Sequence, residues 1–404
     1  MNSSLSTLVS NKAARSAEGA QAGASPSDIG AIVQVASHME SGPIARFALE
    51  LAQSVHQFGG DSRIISAGGR FALEAQKAGL KHQTLPMEAE AGFGIGGPAG
   101  RLTSTLNEWN TRLVHSYGET PSFHTRKAVA KSGRSHIASL YRLPSLRGGK
   151  LSSKTQSVLG ADRLIVGSQY IADQLSDRLP EVEAKIRVIC PGLSINAIHP
   201  SVVTASRLTR LVKRIDIPID TPIVLFPAAL QPSAGHKKLL DVLEAMRDTN
   251  WLCVWATIGP ADKRLQGELM TKVAKMGLAN RIKIVENCDD PATLYKLSSV
   301  VISSIEGHLP FDYAAAEAQA AGKIVLVPNS GSSAEQVLGG TNGAQFESGD
   351  AETLHMALSW ALTLAPDTKA SIEHAATAYA YKTYKKEEVI KRVFAVYDDL
   401  LVGA

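Results

Sequence analysis

Ser304, Glu317 and Glu335, with Gly331 among them, fall in one stretch, residues 301–337. Carboxylates, a serine and a glycine at such spacing can hold a polar ligand if the fold brings their loops together. The stretch opens on the β-branched run Val300, Val301, Ile302. A loop follows, then a helical pattern through Ala321 that Gly322 stops as a C-cap glycine would. Ile324, Val325, Leu326 and Val327 read as a buried parallel strand, and Pro328 with a Gly-Ser loop leads to Glu335 on the next helix. This is a βαβ unit. Open parallel sheets bind ligands beyond the carboxyl ends of their strands, so the loops at 303–312 and 328–334 are where this half meets a ligand.

A second group of candidate residues is cationic. Between Thr120 and Ala161 there is no Asp or Glu, yet the span holds Arg126, Lys127, Lys131, Arg134, Arg142, Arg147, Lys150 and Lys154. It reads either as a solvated surface or as a patch for an anionic membrane or a phosphorylated, lipid-linked acceptor. Each cation near an anionic surface contributes about 1 kcal/mol.

The elements that must position these groups alternate along the chain. Ala31 to Val35 is a strand, a helix runs from Ile44 to Phe58, Arg63 to Ser66 is the next strand, and Gly68-Gly69 turns into another helix. That alternation predicts a doubly wound parallel sheet. A chain of 404 residues, 44% hydrophobic, can build two such domains. A net charge of +4 is no nucleic-acid signature, and no nucleic-acid partner is expected. Cys190, Cys253 and Cys288 are spaced as reduced thiols and not as zinc ligands, so no metal is expected. No window is long and apolar enough to span a membrane. Residues 1–27, rich in Ser, Ala and Gly, read as a disordered tail, and 88–102 as a long glycine-rich loop.

The stretch around Glu317 resembles the donor-sugar site of family 4 glycosyltransferases, retaining enzymes with the GT-B fold. Ser304, Phe311, Glu317, Ala318, Ala321, Gly322, Gly331 and Glu335 keep the family register. Elsewhere the likeness rests on Gly42, Arg46 and the Leu49-Glu50-Leu51-Ala52 helix, on Ile65 to Arg70, on Gly277 to Ile284, and on Gly349 to Leu354. The resemblance implies an α/β chain of two Rossmann-like domains facing across a cleft. The first, residues 28–200, would be acceptor-side and completed by a C-terminal helix in 385–404. The second, residues 201–384, would be nucleotide-sugar-side.

The resemblance also implies which residues bind. Donor-side candidates are Glu317, Glu335, Ser304 and Gly331, with Lys237 and Lys238 as substitute cations for the diphosphate. Acceptor-side candidates are Gly42, Arg46 and Arg142; the anionic-surface candidates are Arg126, Lys127, Lys131 and Arg134. Several family positions are replaced. Ala229 and Ala234 stand where an Arg and a Lys hold the diphosphate, Leu309 stands for the first Glu, and Asp312 for a Gly. Arg142 stands for the sugar-site His, and Pro43 and Ala45 alter the glycine loop. The site is therefore expected to be degenerate and the catalytic residues unassigned. The expected role is a partner or scaffold, beside an active glycosyltransferase, in cell-surface polysaccharide or lipopolysaccharide assembly. The alternatives are an active enzyme with a rewired donor site, and a binding module for an anionic glycan or lipid head group. A nucleotide sugar is the expected substrate, with no cofactor. A polysaccharide or lipid-linked acceptor and a cytoplasmic location at the inner face of the membrane complete the expectation.

Overall fold

The computed structural model describes residues 30–40, 42–88, 97–141, 143, 146–147, 150–218, 220–257, 262–286, 288, 290–306 and 311–401. The chain divides into two compact units: residues up to Gly192 together with those from Glu387 onward, and Leu193–Lys386. The sequence reading places this division at 200. The tail 1–27, Arg142 and Leu309 lie outside the described residues.

The first unit has nine strands: β1 (Ala31–Val35), β2 (Ser62–Ser66), β3 (Lys81–Thr84), β4 (Thr111–Tyr117), β5 (Ser135–Leu140), β6 (Leu146–Arg147), β7 (Lys150–Leu151), β8 (Arg163–Val166) and β9 (Ile186–Val188). Seven form a sheet in the order β3-β2-β1-β4-β5-β8-β9, all parallel, and β6 and β7 form a separate antiparallel pair. Successive strand residues face opposite sides of the sheet. Ile32, Ile64 and Leu113 pack under the helices Pro43–Gln57, Arg70–Lys77 and Lys386–Leu401, while Val33, Ile65 and Val114 pack under Pro98–Glu108 and Glu119–Val129. The helix Pro98–Glu108 corrects the expectation of an unbroken loop over 88–102. Gly97 caps it and Pro98 occupies its first turn, where a missing N–H costs nothing.

The loops after β1 and β2 are laced together. Met39 N–H donates to Gly68 O at 2.9 Å, and Phe71 N–H to Met39 O at 2.8 Å. Gly69 is required there: its φ is 126°, and a Cβ would sit 2.5 Å from the Glu40 backbone nitrogen.

The second unit has six strands: β10 (Ile223–Phe226), β11 (Leu252–Ala256), β12 (Ile282–Val285), β13 (Val300–Ile302), β14 (Ile324–Pro328) and β15 (Ala344–Phe346). Their order is β12-β11-β10-β13-β14-β15, again parallel throughout. One face carries His236–Ala245, Lys263–Lys275 and Ala351–Thr363; the other carries Ala205–Ile215, Pro291–Leu297 and Tyr313–Ala320. The helix Tyr313–Ala320 is alanine-rich, which lets it lie close against β13 and β14; Ala315, Ala316, Ala318 and Ala320 are all fully buried.

Candidate functional site

In the second unit the loops after β13 and β14 lie at the carboxyl ends of adjacent parallel strands, where open α/β sheets bind ligands. The groups they carry have been built into a hydrogen-bonded frame. Asp312 caps the helix Tyr313–Ala320, its Oδ1 accepting from Ala315 N–H at 3.1 Å. Its other oxygen accepts from the Ser333 hydroxyl at 2.9 Å. Gln336 closes a two-way pair with the Asp312 backbone, both bonds 3.1 Å, and Gln319 donates to Gln336 O at 2.7 Å. The aspartate that replaces the family glycine thus ties two helices of the site together. Burial raises the Asp312 carboxyl above its usual value, against the pull of the Ala315 amide and Ser333 hydroxyl.

Glu317 lies in the second turn of the same helix. Its Oε2 accepts from the Tyr295 hydroxyl at 2.9 Å. Burial pushes its carboxyl up to about 7; the Tyr295 hydrogen bond pulls it down and the nearby Asp312 pushes it further up. Tyr295 is 1% exposed and sits on Pro291–Leu297, a helix capped by Asp290 and fastened through it to Arg207, with bonds of 3.0 and 2.5 Å. The Arg207 hydrogen bond holds the Asp290 carboxyl down at about 2. Tyr295 falls in the stretch from Asp290 to Val301 that continues the family likeness, but the sequence reading does not count it among the site candidates. Its signal was a tyrosine on the helix before β13, which apolar patterning assigns to the core.

The other donor-side candidates divide. Ser304 is half-buried, its hydroxyl 3.5 Å from Glu306 O. Gly331 begins the six-residue helix Gly331–Gln336 with φ 70°. Glu335 is exposed near the end of that helix, and Tyr379 donates to its backbone oxygen. Lys237 pairs with Glu268 at 3.6 Å, and Lys238 with Glu306 at 2.7 Å over Gly349. Both substitute cations therefore already have carboxylate partners. His236, which precedes them in the chain, is a core residue between Phe226 and Trp255, 2% exposed, and burial lowers its pKa to about 4. It carries no charge for a diphosphate at neutral pH. Ala229 and Ala234 are half-buried and offer none either.

In the first unit, Gly42 (φ 92°) caps Pro43–Gln57 without a side-chain bond. Arg46 pairs with Glu74 at 2.7 Å and lies 4.1 Å over the Phe71 ring. Of the basic stretch, Arg126, Lys127 and Lys131 are exposed, with Lys127 stacked 4.0 Å over Phe123. Arg134 differs: it donates to Thr111 O at 3.0 Å and to Asn107 Oδ1 at 2.6 Å, bracing the end of Pro98–Glu108. Among the described residues no helix is long and apolar enough to cross a membrane, and no cluster of three metal-ligating side chains occurs.

The fold is that of GT-B glycosyltransferases. A glycosyltransferase from Rickettsia africae ESF-5 superposes with a TM-score of 0.84 over 93% of this chain and 99% of its own, at 22% identity. Anabaena HepE in complex with UDP and glucose does so with a TM-score of 0.77 over 92% of this chain and 100% of its own, at 17% identity. Residues 44–197 match the family model for glycosyltransferase family 4, and 209–382 the model for glycosyl transferases group 1. The chain belongs to glycosyltransferase family 4. A D-inositol 3-phosphate glycosyltransferase from Acidothermus cellulolyticus is 26% identical over 321 residues, covering 76% of this chain and 66% of the relative. The chain thus spans just under two thirds of that relative's length.

Proposed function

We propose that this family 4 protein keeps a nucleotide subsite at Glu317 while its grip on the donor diphosphate is weakened, so that it binds nucleotide sugars loosely and transfers sugar slowly or not at all. A partner or scaffold role in polysaccharide or lipopolysaccharide assembly follows from that reading. The observation that carries it is the state of the cations. Ala229 and Ala234 supply no charge, and Lys237 and Lys238 are each held by a carboxylate. A diphosphate needs compensating charge in any nucleotide-sugar reaction.

A second reading, an active enzyme with a rewired site, draws on Lys238. If diphosphate displaced Glu306, that lysine would become available close to Gly349. The exposed cations Arg126, Lys127 and Lys131 fit a phosphorylated or lipid-linked acceptor in either reading. The test is turnover of UDP- and GDP-sugars by the full chain, with D-inositol 3-phosphate among the acceptors, beside direct measurement of UDP and GDP affinity. The expected result is weak binding without transfer. Ala229→Arg with Ala234→Lys should then tighten binding, each restored charged contact contributing about 1.5 kcal/mol or more. Robust transfer by the unmodified protein, abolished by Lys238→Ala, would replace the first reading with the second.

A further inference from the structure

Glu317 presents two oxygens with different surroundings. Oε2 accepts the Tyr295 hydroxyl, whereas Oε1 takes no hydrogen bond among the described residues. Tyr295 cannot swing aside easily. It is fully buried in the core between the sheet and its helix, and that helix is fixed at its start by Asp290, whose oxygens accept from Thr293 N–H at 3.2 Å and the Thr293 hydroxyl at 2.6 Å. Arg207 locks Asp290 in turn. The tyrosine is thus a rigid donor aimed at one oxygen of a half-buried carboxylate, at the carboxyl-end side of the sheet.

We propose that Tyr295 is a positioning residue of the nucleotide subsite, fixing Glu317 by one oxygen so that the other accepts hydrogen bonds from the ribose hydroxyls of a nucleoside diphosphate. This rests on the reading of Glu317 as the nucleotide subsite. Chemically, vicinal hydroxyls are donors that seek a fixed acceptor, and a carboxylate is acceptor-only when ionised. A carboxylate free to rotate would pay ordering entropy on binding; one already held by Tyr295 does not. The groups that face Glu317 are Tyr295 and, at the head of its own helix, Asp312; Cys288 in turn acts electrostatically on Tyr295. With its carboxyl raised to about 7 by burial, Glu317 ionises near neutrality, so ribose binding strengthens as pH rises through that value. Removing the tyrosine hydroxyl removes a bond to the ionised form, which moves that midpoint to higher pH.

The experiment measures dissociation constants of UDP and 2′-deoxy-UDP for the full chain between pH 5.5 and 8.5, with Tyr295→Phe, Glu317→Gln and the double variant. Tyr295→Phe is expected to weaken UDP about tenfold, to reduce the preference for UDP over 2′-deoxy-UDP, and to shift the pH midpoint upward. In the Glu317→Gln background the same change should have little further effect, because the two residues act as one unit. A Tyr295→Phe protein with the wild-type UDP affinity, deoxy discrimination and pH profile, while Glu317→Gln weakens binding, would overturn this inference alone. Unchanged UDP binding in Glu317→Gln, or no UDP binding by the wild-type protein, would overturn the nucleotide subsite and the inference with it.

Discussion

Under the carboxyl ends of its sheet the first unit buries Gln34, His115, Tyr117, Ser139 and Tyr397; the second buries Asp312 and half-buries Glu317. The first set is neutral and closed on itself. Gln34 donates to the Tyr397 oxygen at 3.2 Å, Tyr117 donates to Gln34 Oε1 at 2.7 Å, and His115 bridges the Tyr397 and Ser139 hydroxyls at 2.8 and 2.7 Å. Burial lowers the His115 pKa to about 3, with His136 adding to the effect, so the ring is uncharged. The second set keeps two carboxyl groups whose pKa values burial raises. Two parallel sheets that share the order of their first six strands therefore differ in kind. One uses buried polarity to latch the C-terminal helix onto its sheet; the other joins a helix-capping Asp312 to Glu317, an ionisable group held at a thermodynamic cost beyond what capping needs.

The sharpest way to break this comparison is to remove the latch. Tyr397 is fully buried and is packed against Phe394 and His115. Tyr397→Ala should destabilise the first unit by about 3–5 kcal/mol, read as an earlier urea transition, since it opens a large cavity and strands Gln34 and His115. A loss below about 1 kcal/mol would mean that the network is not structural.

The opposite sign is expected in the second unit. A carboxyl raised from 4.5 to about 7 on folding binds more protons in the native state than in the unfolded state between those values. Its contribution to stability therefore falls as pH rises through that window and is constant above it. Glu317→Gln should stabilise the protein by on the order of 2 kcal/mol at pH 8 and by much less at pH 5, visible as a pH-dependent gain in melting temperature. An equal effect at both values would place the cost elsewhere than in ionisation.

Asp290 sharpens the contrast within the second unit, because its carboxyl is held at about 2, chiefly by the Arg207 hydrogen bond. A depressed value contributes stability above the unfolded value of 3.8 that is lost as pH falls through about 2. The pair is about one-third exposed, so solvent screening reduces its contribution; Asp290→Asn should cost about 1 kcal/mol at pH 7 and almost nothing near pH 2. A loss that persists at low pH would assign the residue's role to helix capping alone.

The alternation of strands and helices was legible because Ile324 to Val327 is apolar on both faces and Ala31 to Val35 is so apart from Gln34, and because Gly322 takes the left-handed conformation (φ 63°) that ends a helix. The helix Pro366–Tyr384 was not, since it buries small residues, Ala376 and Ala380, in place of a continuous apolar stripe. In the candidate site, Glu317, Ser304 and Gly331 were singled out by their register. What spacing could not convey was partnership. Gln34 meets Tyr397 across 363 positions, Glu306 meets Lys238, and Tyr295 meets Glu317. Such contacts depend on which loops the strand order brings side by side.

The smallest effect on stability, and the one that compares the outer surfaces of the units, is expected from their cations. In the first unit Arg126, Lys127 and Lys131 are exposed; in the second, Arg210, Lys213 and Arg214 are exposed on Ala205–Ile215. Changing either trio to Glu should move folding stability by no more than about 0.5 kcal/mol, apart from the Lys127 contact with Phe123, because neither trio has a carboxylate partner within 4.0 Å among the described residues. Flotation with anionic liposomes separates them. Attraction between exposed charges decays over about 8 Å at physiological salt, so binding should be strong at low salt and fade as salt rises. If the stretch 120–161 is the docking face, reversing Arg126, Lys127 and Lys131 abolishes flotation, and reversing Arg210, Lys213 and Arg214 leaves it intact. The converse result would move the docking face to the second unit. Flotation that survives both reversals would make each trio an ordinary solvated surface.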